Sequence, residues 1–226
     1  MVKAKEQWRH LALLISILFL FVISPAVSVF RHGALILNVI AAIVLIAGSY
    51  AVSERKHFVA IALVLSGISI VTTWLLLIIQ RPWIAVLSHG CLILLVAFFS
   101  ITILGYVLRG GRVTTDRIFA AVCVYLLIGY AWTFAYVLVE ELQPASFVAL
   151  SHAAPNDYVS RVLQMRYFSF ITLTTVGYGD IVPHSSWART LAVLEAITGQ
   201  IYLTVLVARL VGLHIVHAQT DSARED

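Results

Sequence analysis

Long apolar stretches, free of charge and separated by short polar or basic loops, dominate the chain. Five uncharged runs are each long enough to cross about 30 Å of hydrocarbon at about 1.5 Å of helical rise per residue. They are Leu11–Phe30, Ala34–Val52, Phe58–Ile79, Trp83–Leu108 and Ile118–Val139. A sixth, Trp187–His214, is interrupted only by Arg189, Glu195 and Arg209. The pattern predicts an all-α integral membrane protein with six transmembrane helices.

The segment Glu140–Ser186, between the fifth and sixth runs, breaks this rhythm. Within it Arg161–Thr174, "RVLQMRYFSFITLT", is apolar and aromatic toward its end, yet at helical rise it covers only about 20 Å and cannot cross. Pro155, Asn156, Asp157 and Ser160 supply breakers and cap candidates before it. Gly177, Gly179 and Pro183 stop a helix after it. A short helix followed by irregular backbone at membrane depth leaves amides and carbonyls without water. That is tolerated only where protein or an aqueous pore surrounds them. The expectation is a re-entrant pore helix and a loop that lines a pore.

The loop itself reads "TTVGYGD", Thr174–Asp180. A cation that sheds its water needs a ladder of oxygens. Successive carbonyls point the same way only where the backbone alternates between right- and left-handed dihedrals, and glycine suits the positive-φ positions. Gly177 and Gly179 supply those positions, Val176 and Tyr178 carry side chains that pack outward, and the Thr175 hydroxyl adds a lowest ring of oxygen. A second Gly-Tyr, in "TILGYVLRGG" at Thr102–Gly111, follows no short helix and reads as an ordinary span end.

With a short aromatic helix before it and a spanning helix on either side, this motif resembles the pore domain of tetrameric potassium channels. The likeness covers roughly Arg117–Leu213. It implies a homotetramer with potassium held by Thr175, Val176, Gly177, Tyr178 and Gly179 on the fourfold axis, where four strands form eight-oxygen cages. It also implies an aromatic cuff at Tyr167 and Phe168, with the Tyr167 hydroxyl in reach of Asp180. Ile171 stands where some relatives carry a carboxylate that braces the filter. By the same resemblance Gly199 is a hinge in the inner helix, and Gln200, Leu203, Val207 and Val211 line the cavity and its inner constriction. Glu195 is costly in a span and is a functional candidate by default. Helical geometry turns it off the face of Gln200, Leu203 and Val207, toward a hydrogen bond with Ser169, Thr172 or Thr174 on the pore helix. Arg209 is expected to snorkel to the interface.

Of 226 residues, 61% are hydrophobic and 12% charged, about half the charge of an ordinary soluble domain. The net charge of +4 is a topology signal rather than a nucleic-acid footprint. The N-terminus (Lys3, Lys5, Arg9), the second loop (Arg55, Lys56) and the fourth (Arg109, Arg112, Arg117) are basic, whereas the first and third carry only Arg31 and Arg81. Both termini are therefore expected in the cytoplasm, with the protein in the plasma (inner) membrane. A competing reading takes Lys3–Arg9, the first run and "AVS" at Ala26–Ser28 as a cleaved signal peptide, which leaves the later orientation unchanged. The implied division is a four-span domain at 1–112, a pore domain at 113–217 and a short tail at 218–226, too small for a nucleotide- or calcium-binding domain.

The fourth run contains no Lys or Arg, so no conventional voltage sensor is expected. Asn38, Ser66, Thr72, Thr73 and Ser100 are read as polar links between helices, and His10 as an ordinary residue at a span end. Cys91 and Cys123 lie inside spans and imply no disulfide. No nucleophile, base and orienting acid combine into an enzyme's site, and neither a cofactor nor a small-molecule ligand is indicated. The leading function is a potassium-selective channel of weak voltage dependence. The alternatives are a non-selective cation channel and a membrane assembly subunit whose pore-like loop is structural.

Overall fold

The computed structural model describes residues 9–28, 30, 33–52, 56–79, 81–108, 114–149 and 158–222. Each apolar run forms a helix: α1 (Arg9–Ser28), α2 (Gly33–Val52), α3 (Lys56–Ile79), α4 (Pro82–Leu108), α5 (Thr115–Leu142) and α7 (Ser186–Ser222). Between α5 and α7 come strand β1 (Phe147–Ala149), helix α6 (Tyr158–Leu173) and strand β2 (Ile181–Pro183). Among the described residues, α1, α3, α4, α5 and α7 are long and apolar enough to cross a bilayer. In α2 the apolar stretch so described is Leu35–Val44. Lys3, Lys5, Arg31, Arg55, Arg109, Arg112, Pro155, Asn156 and Asp157, used in the sequence reading, lie outside the described residues.

The helices hide little of their apolar surface from their surroundings. Val22 is 75% exposed, Ile101 69% and Ile78 65%, on faces that suit acyl chains rather than water. The protein is an integral membrane protein. Its main core joins Leu13 and Ile17 of α1 and Ala62 of α3 to Leu95, Phe99 and Ile103 of α4 and to Ala120, Val124 and Leu127 of α5. Helices α1, α3 and α4 therefore pack directly on α5.

Polar side chains pin these contacts where hydrocarbon offers no alternative partner. Asn38 donates to Thr73 Oγ1 at 2.7 Å and accepts from Ser69 at 3.3 Å, and Thr73 meets Ser88 at 3.1 Å, which links α2, α3 and α4. Thr72 and Ser100 do not link helices as expected. Their hydroxyls bond carbonyls of their own helix, at Ile68 and Val96, the short-range option always open to Ser and Thr. Near the starts of α1 and α5, His10 Nδ1 donates to Asp116 Oδ2 at 2.6 Å and Tyr106 donates to the same oxygen at 2.9 Å. This cluster joins α1, α4 and α5, and makes His10 a buried structural partner rather than a residue at a frayed end. Asp116 also lies in the first turn of α5, where the helix dipole favours a negative charge.

The expectation of an all-helical chain needs one amendment. β1 and β2 pair antiparallel with Phe147 opposite Pro183, Val148 opposite Val182 and Ala149 opposite Ile181. Three-residue strands carry no periodicity that a sequence reading can use. The ribbon is held by its surroundings: the Glu140 carboxylate accepts from the amides of Ala145 and Phe147, and Ser146 accepts from the amide of His184 at 2.7 Å. It clamps together the two ends of the segment that contains α6 and the glycine loop after it.

Candidate functional site

Helix α6 begins at Tyr158, three residues earlier than the sequence places it, and ends at Leu173. Its last turn catches the loop that follows. The amides of Val176 and Gly177 both donate to the Ile171 carbonyl, at 2.9 and 3.1 Å, and that of Thr175 donates to Thr172 at 2.9 Å. So the residue lacking a carboxylate side chain here anchors the loop through its backbone.

The loop then alternates in handedness. Thr175 has φ +59°, Gly177 +53° and Gly179 +78°, whereas Val176 and Tyr178 between them do not have positive φ. Thr175 is the surprise, since a β-branched residue is disfavoured there; the amide bonds to Thr172 and Ile171 hold the turn that requires it. Alternation of this kind turns successive carbonyls toward one side, the arrangement a cation ladder needs. Val176 is 52% and Tyr178 71% exposed, so the chain by itself leaves both side chains of the motif uncovered.

Behind the loop, the expected supports are placed as follows. The Tyr167 hydroxyl donates to Asp180 Oδ2 at 2.8 Å, and Asp180 Oδ1 accepts from the amide of Ile181. That hydrogen bond raises the Tyr167 hydroxyl above the ordinary tyrosine range. Phe168 instead joins Tyr136 and Phe147 edge to face, with ring centroids 5.1 and 5.2 Å away, and so seats α6 on α5 and β1. Ile181, just past the loop, belongs to the same cluster.

Glu195 is fully buried and both its oxygens are engaged. Oε1 accepts from Ser169 at 2.6 Å and Oε2 from Tyr136 at 2.5 Å, so one carboxylate joins α7, α6 and α5. Thr172 and Thr174 do not reach it; Thr174 bonds its own helix at Phe170. Tyr136 is the partner that the sequence reading missed. A tyrosine among the many aromatic residues of an apolar run carries no mark of a partner 59 positions away.

On α7, Gly199 is buried against the end of α6, and Gln200 Nε2 lies 3.4 Å from Thr175 Oγ1 at the base of the loop. Leu203 and Val207 are exposed on the chain by itself, and the side chain of Val211 lies outside the described residues. Arg209 does not simply reach for an interface: it donates to the Leu108 carbonyl at the end of α4.

The sequence profile of the ion channel family matches residues 137–214, from the last turns of α5 through the loop to α7. Protein LctB of Bacillus caldotenax is 31% identical over 100 residues, 44% of this chain and 74% of that protein. The chain belongs to the ion channel family. Potassium channels are among the relatives of this ion channel chain. Two-pore potassium channel 4 of Arabidopsis thaliana is 41% identical over 56 residues, 25% of this chain and 19% of the plant protein. A voltage-gated potassium channel of Aeropyrum pernix is 30% identical over 91 residues, 40% of this chain and 26% of its own length. The chain thus spans only a fifth to a quarter of the length of these two relatives. No solved structure matches it. The ion channel family is one of transport proteins, not enzymes.

Proposed function

We propose that this protein is the subunit of a potassium-selective channel, with four copies arranged around an axis and one pore loop contributed by each. The reading rests above all on the alternating backbone of the loop: positive φ at Thr175, Gly177 and Gly179, with Val176 and Tyr178 between. Four such strands facing one another place rings of carbonyls at Thr175, Val176, Gly177 and Tyr178, which replace the hydration shell of potassium. The exposed Val176 and Tyr178 side chains find their packing against neighbouring subunits, where a fourfold axis requires it.

In this assembly residues 113–217 form the pore and residues 1–112 a four-helix unit beside it. All six long helices span the membrane, with both termini in the cytoplasm of a plasma (inner) membrane, as the basic loops favour. The loop opens outward, Tyr167 and Asp180 brace its outer mouth, and Glu195 braces the pore helix from behind. Gln200, Leu203, Val207 and Val211 face the cavity. Conduction is passive and needs no cofactor.

The test is flux from liposomes containing only this protein, with potassium inside and sodium outside. A reversal potential that follows the potassium gradient is expected. Equal permeation of sodium would refute selectivity, and the absence of flux from correctly inserted protein would refute conduction.

A further inference from the structure

Arg166 lies in the middle of α6, only 7% exposed, in a position where hydrocarbon or protein surrounds it. A buried cation in such a place is costly and is normally met by an acid. None of the described acids serves. Asp116 pairs with His10, Glu141 with Arg161, and Asp180 with Tyr167. Glu140 accepts backbone amides, and Glu195 is held by Ser169 and Tyr136. Arg166 donates one bond to Ser24 Oγ at 2.5 Å and lies 4.1 Å over the Phe21 ring, both on α1. A guanidinium carries five N–H donors, so these contacts leave donors unused and the charge without an acid among the described residues.

The same guanidinium forms part of the wall of a partly open cavity of about 120 Å³ lined by residues of α1, α2, α3, α4, α5 and α6. Most of the lining is apolar, with Ile17, Ala42, Leu95 and Leu127 among it, and its polar members Ser24, Asn38, Thr73 and Tyr158 are already hydrogen-bonded within the protein. Tyr130 also lines it, with its buried hydroxyl beside the Arg166 guanidinium and bonded to no other group among the described residues. A mostly apolar chamber with a cation and a neighbouring hydroxyl at one side has the makeup of a site for an anionic amphiphile.

We infer that this cavity binds a long-chain fatty acid, with the carboxylate on Arg166 and Tyr130 and the proximal methylenes in the apolar chamber. Charge complementarity selects an anion, and the lining selects a tail. The size selects one chain: a closed apolar space of about 150 Å³ takes a molecule as small as benzene, so this one takes part of a single chain and not two. The other polar groups of the lining are engaged within the protein, which favours a compact carboxylate that a guanidinium can meet bidentately over a glycerol phosphodiester headgroup.

The experiment uses the full-length protein, stripped of lipid in a neutral detergent and titrated with radiolabelled oleate and with methyl oleate. Saturable oleate binding is expected, with the uncharged ester at least about tenfold weaker because the charge-assisted bonds are lost. Arg166→Met should bring oleate down to the level of the ester. Ala42→Phe, which fills the chamber and leaves Arg166 in place, should abolish binding of both. Equal affinity for oleate and its ester, or an oleate preference that survives Arg166→Met, would overturn the inference. So would undiminished binding in Ala42→Phe. Displacement of oleate by dioleoylphosphatidylglycerol at equal affinity would assign the site to a phospholipid headgroup and overturn the choice of a fatty acid. Should Arg166→Met fail to fold, the ester comparison and Ala42→Phe still decide.

Discussion

Gly199 lies so close to Leu173 that a methyl group on its α-carbon would stand 2.4 Å from the Leu173 carbonyl oxygen. The obstacle is backbone at the end of the pore helix and cannot swing aside. Close packing of α7 on α6 is therefore one reason for a glycine at this position, alongside the hinge implied by family resemblance. Gly199→Ala should lower the thermal stability of the assembled protein by an amount equivalent to about 1–3 kcal/mol, typical of overpacking, and reduce the current. A melting temperature unchanged from wild type, with only the open probability shifted, would leave the hinge as the sole role. Calorimetry and single-channel recording on the same preparation separate the two.

Gly177 presents the opposite case. Nothing lies within 4 Å of a β-carbon built there, and its φ is +53°, so the obstacle to Ala is conformational rather than steric. Left-handed backbone costs a non-glycine residue about 1 kcal/mol or more, in every subunit. Gly177→Ala should abolish potassium current while the protein still inserts and assembles, as size-exclusion chromatography of the purified variant would report. Unaltered current would show that this loop is not the filter.

Glu195→Gln keeps an acceptor for one hydroxyl and should be mild. Glu195→Val strands the Tyr136 hydroxyl, which has no other hydrogen bond among the described residues, and leaves Ser169 its bond to Gly129. Each unsatisfied buried hydroxyl costs about 1–3 kcal/mol. The valine variant should therefore melt earlier and conduct poorly, and Tyr136→Phe combined with Glu195→Val should recover part of the loss. If Gln and Val lower single-channel conductance equally at unchanged stability, Glu195 acts instead by its charge on cations in the cavity.

The Tyr167–Asp180 bond sets an alkaline limit. Tyrosine ordinarily ionises near about pH 10, and the hydrogen bond to Asp180 raises it. A raised value means that the folded state holds the proton more tightly. The bond's contribution is then complete below about pH 10 and is lost only as the pH climbs through the raised value. Outward-facing channels should keep a constant conductance as external pH is stepped from 7 to 9, and lose it above about 10. Tyr167→Phe should remove that alkaline transition. A transition that persists in the phenylalanine variant would have to come from another group.

Helix α4 contains no lysine, arginine or acid along Pro82–Leu108. One charge crossing the membrane field contributes about 2.3 kcal/mol per 100 mV, so steep gating needs several on a mobile helix. Conductance should thus vary only weakly with voltage, through ion occupancy or block. A steep conductance–voltage curve that ignores permeant-ion concentration would mean that another part of the first four helices carries gating charge.

The sequence by itself determined which solvent the chain folds in and where the short, non-spanning helix and the glycine loop after it fall. Charge-free runs of some twenty residues are stable only in hydrocarbon, and a short helix cut off by Gly177 and Gly179 has too little length to cross. These are properties of residue type and near neighbours, so they survive without a fold. The tertiary structure alone decided the partners. His10 meets Asp116 across 106 positions and Tyr136 meets Glu195 across 59, because helices cross where they do. In an almost uniformly apolar helix no periodic stripe marks the buried face beforehand. The left-handed Thr175 likewise depends on the Thr172 and Ile171 carbonyls that catch the loop, a constraint set by packing at the end of α6 rather than by the preference of threonine.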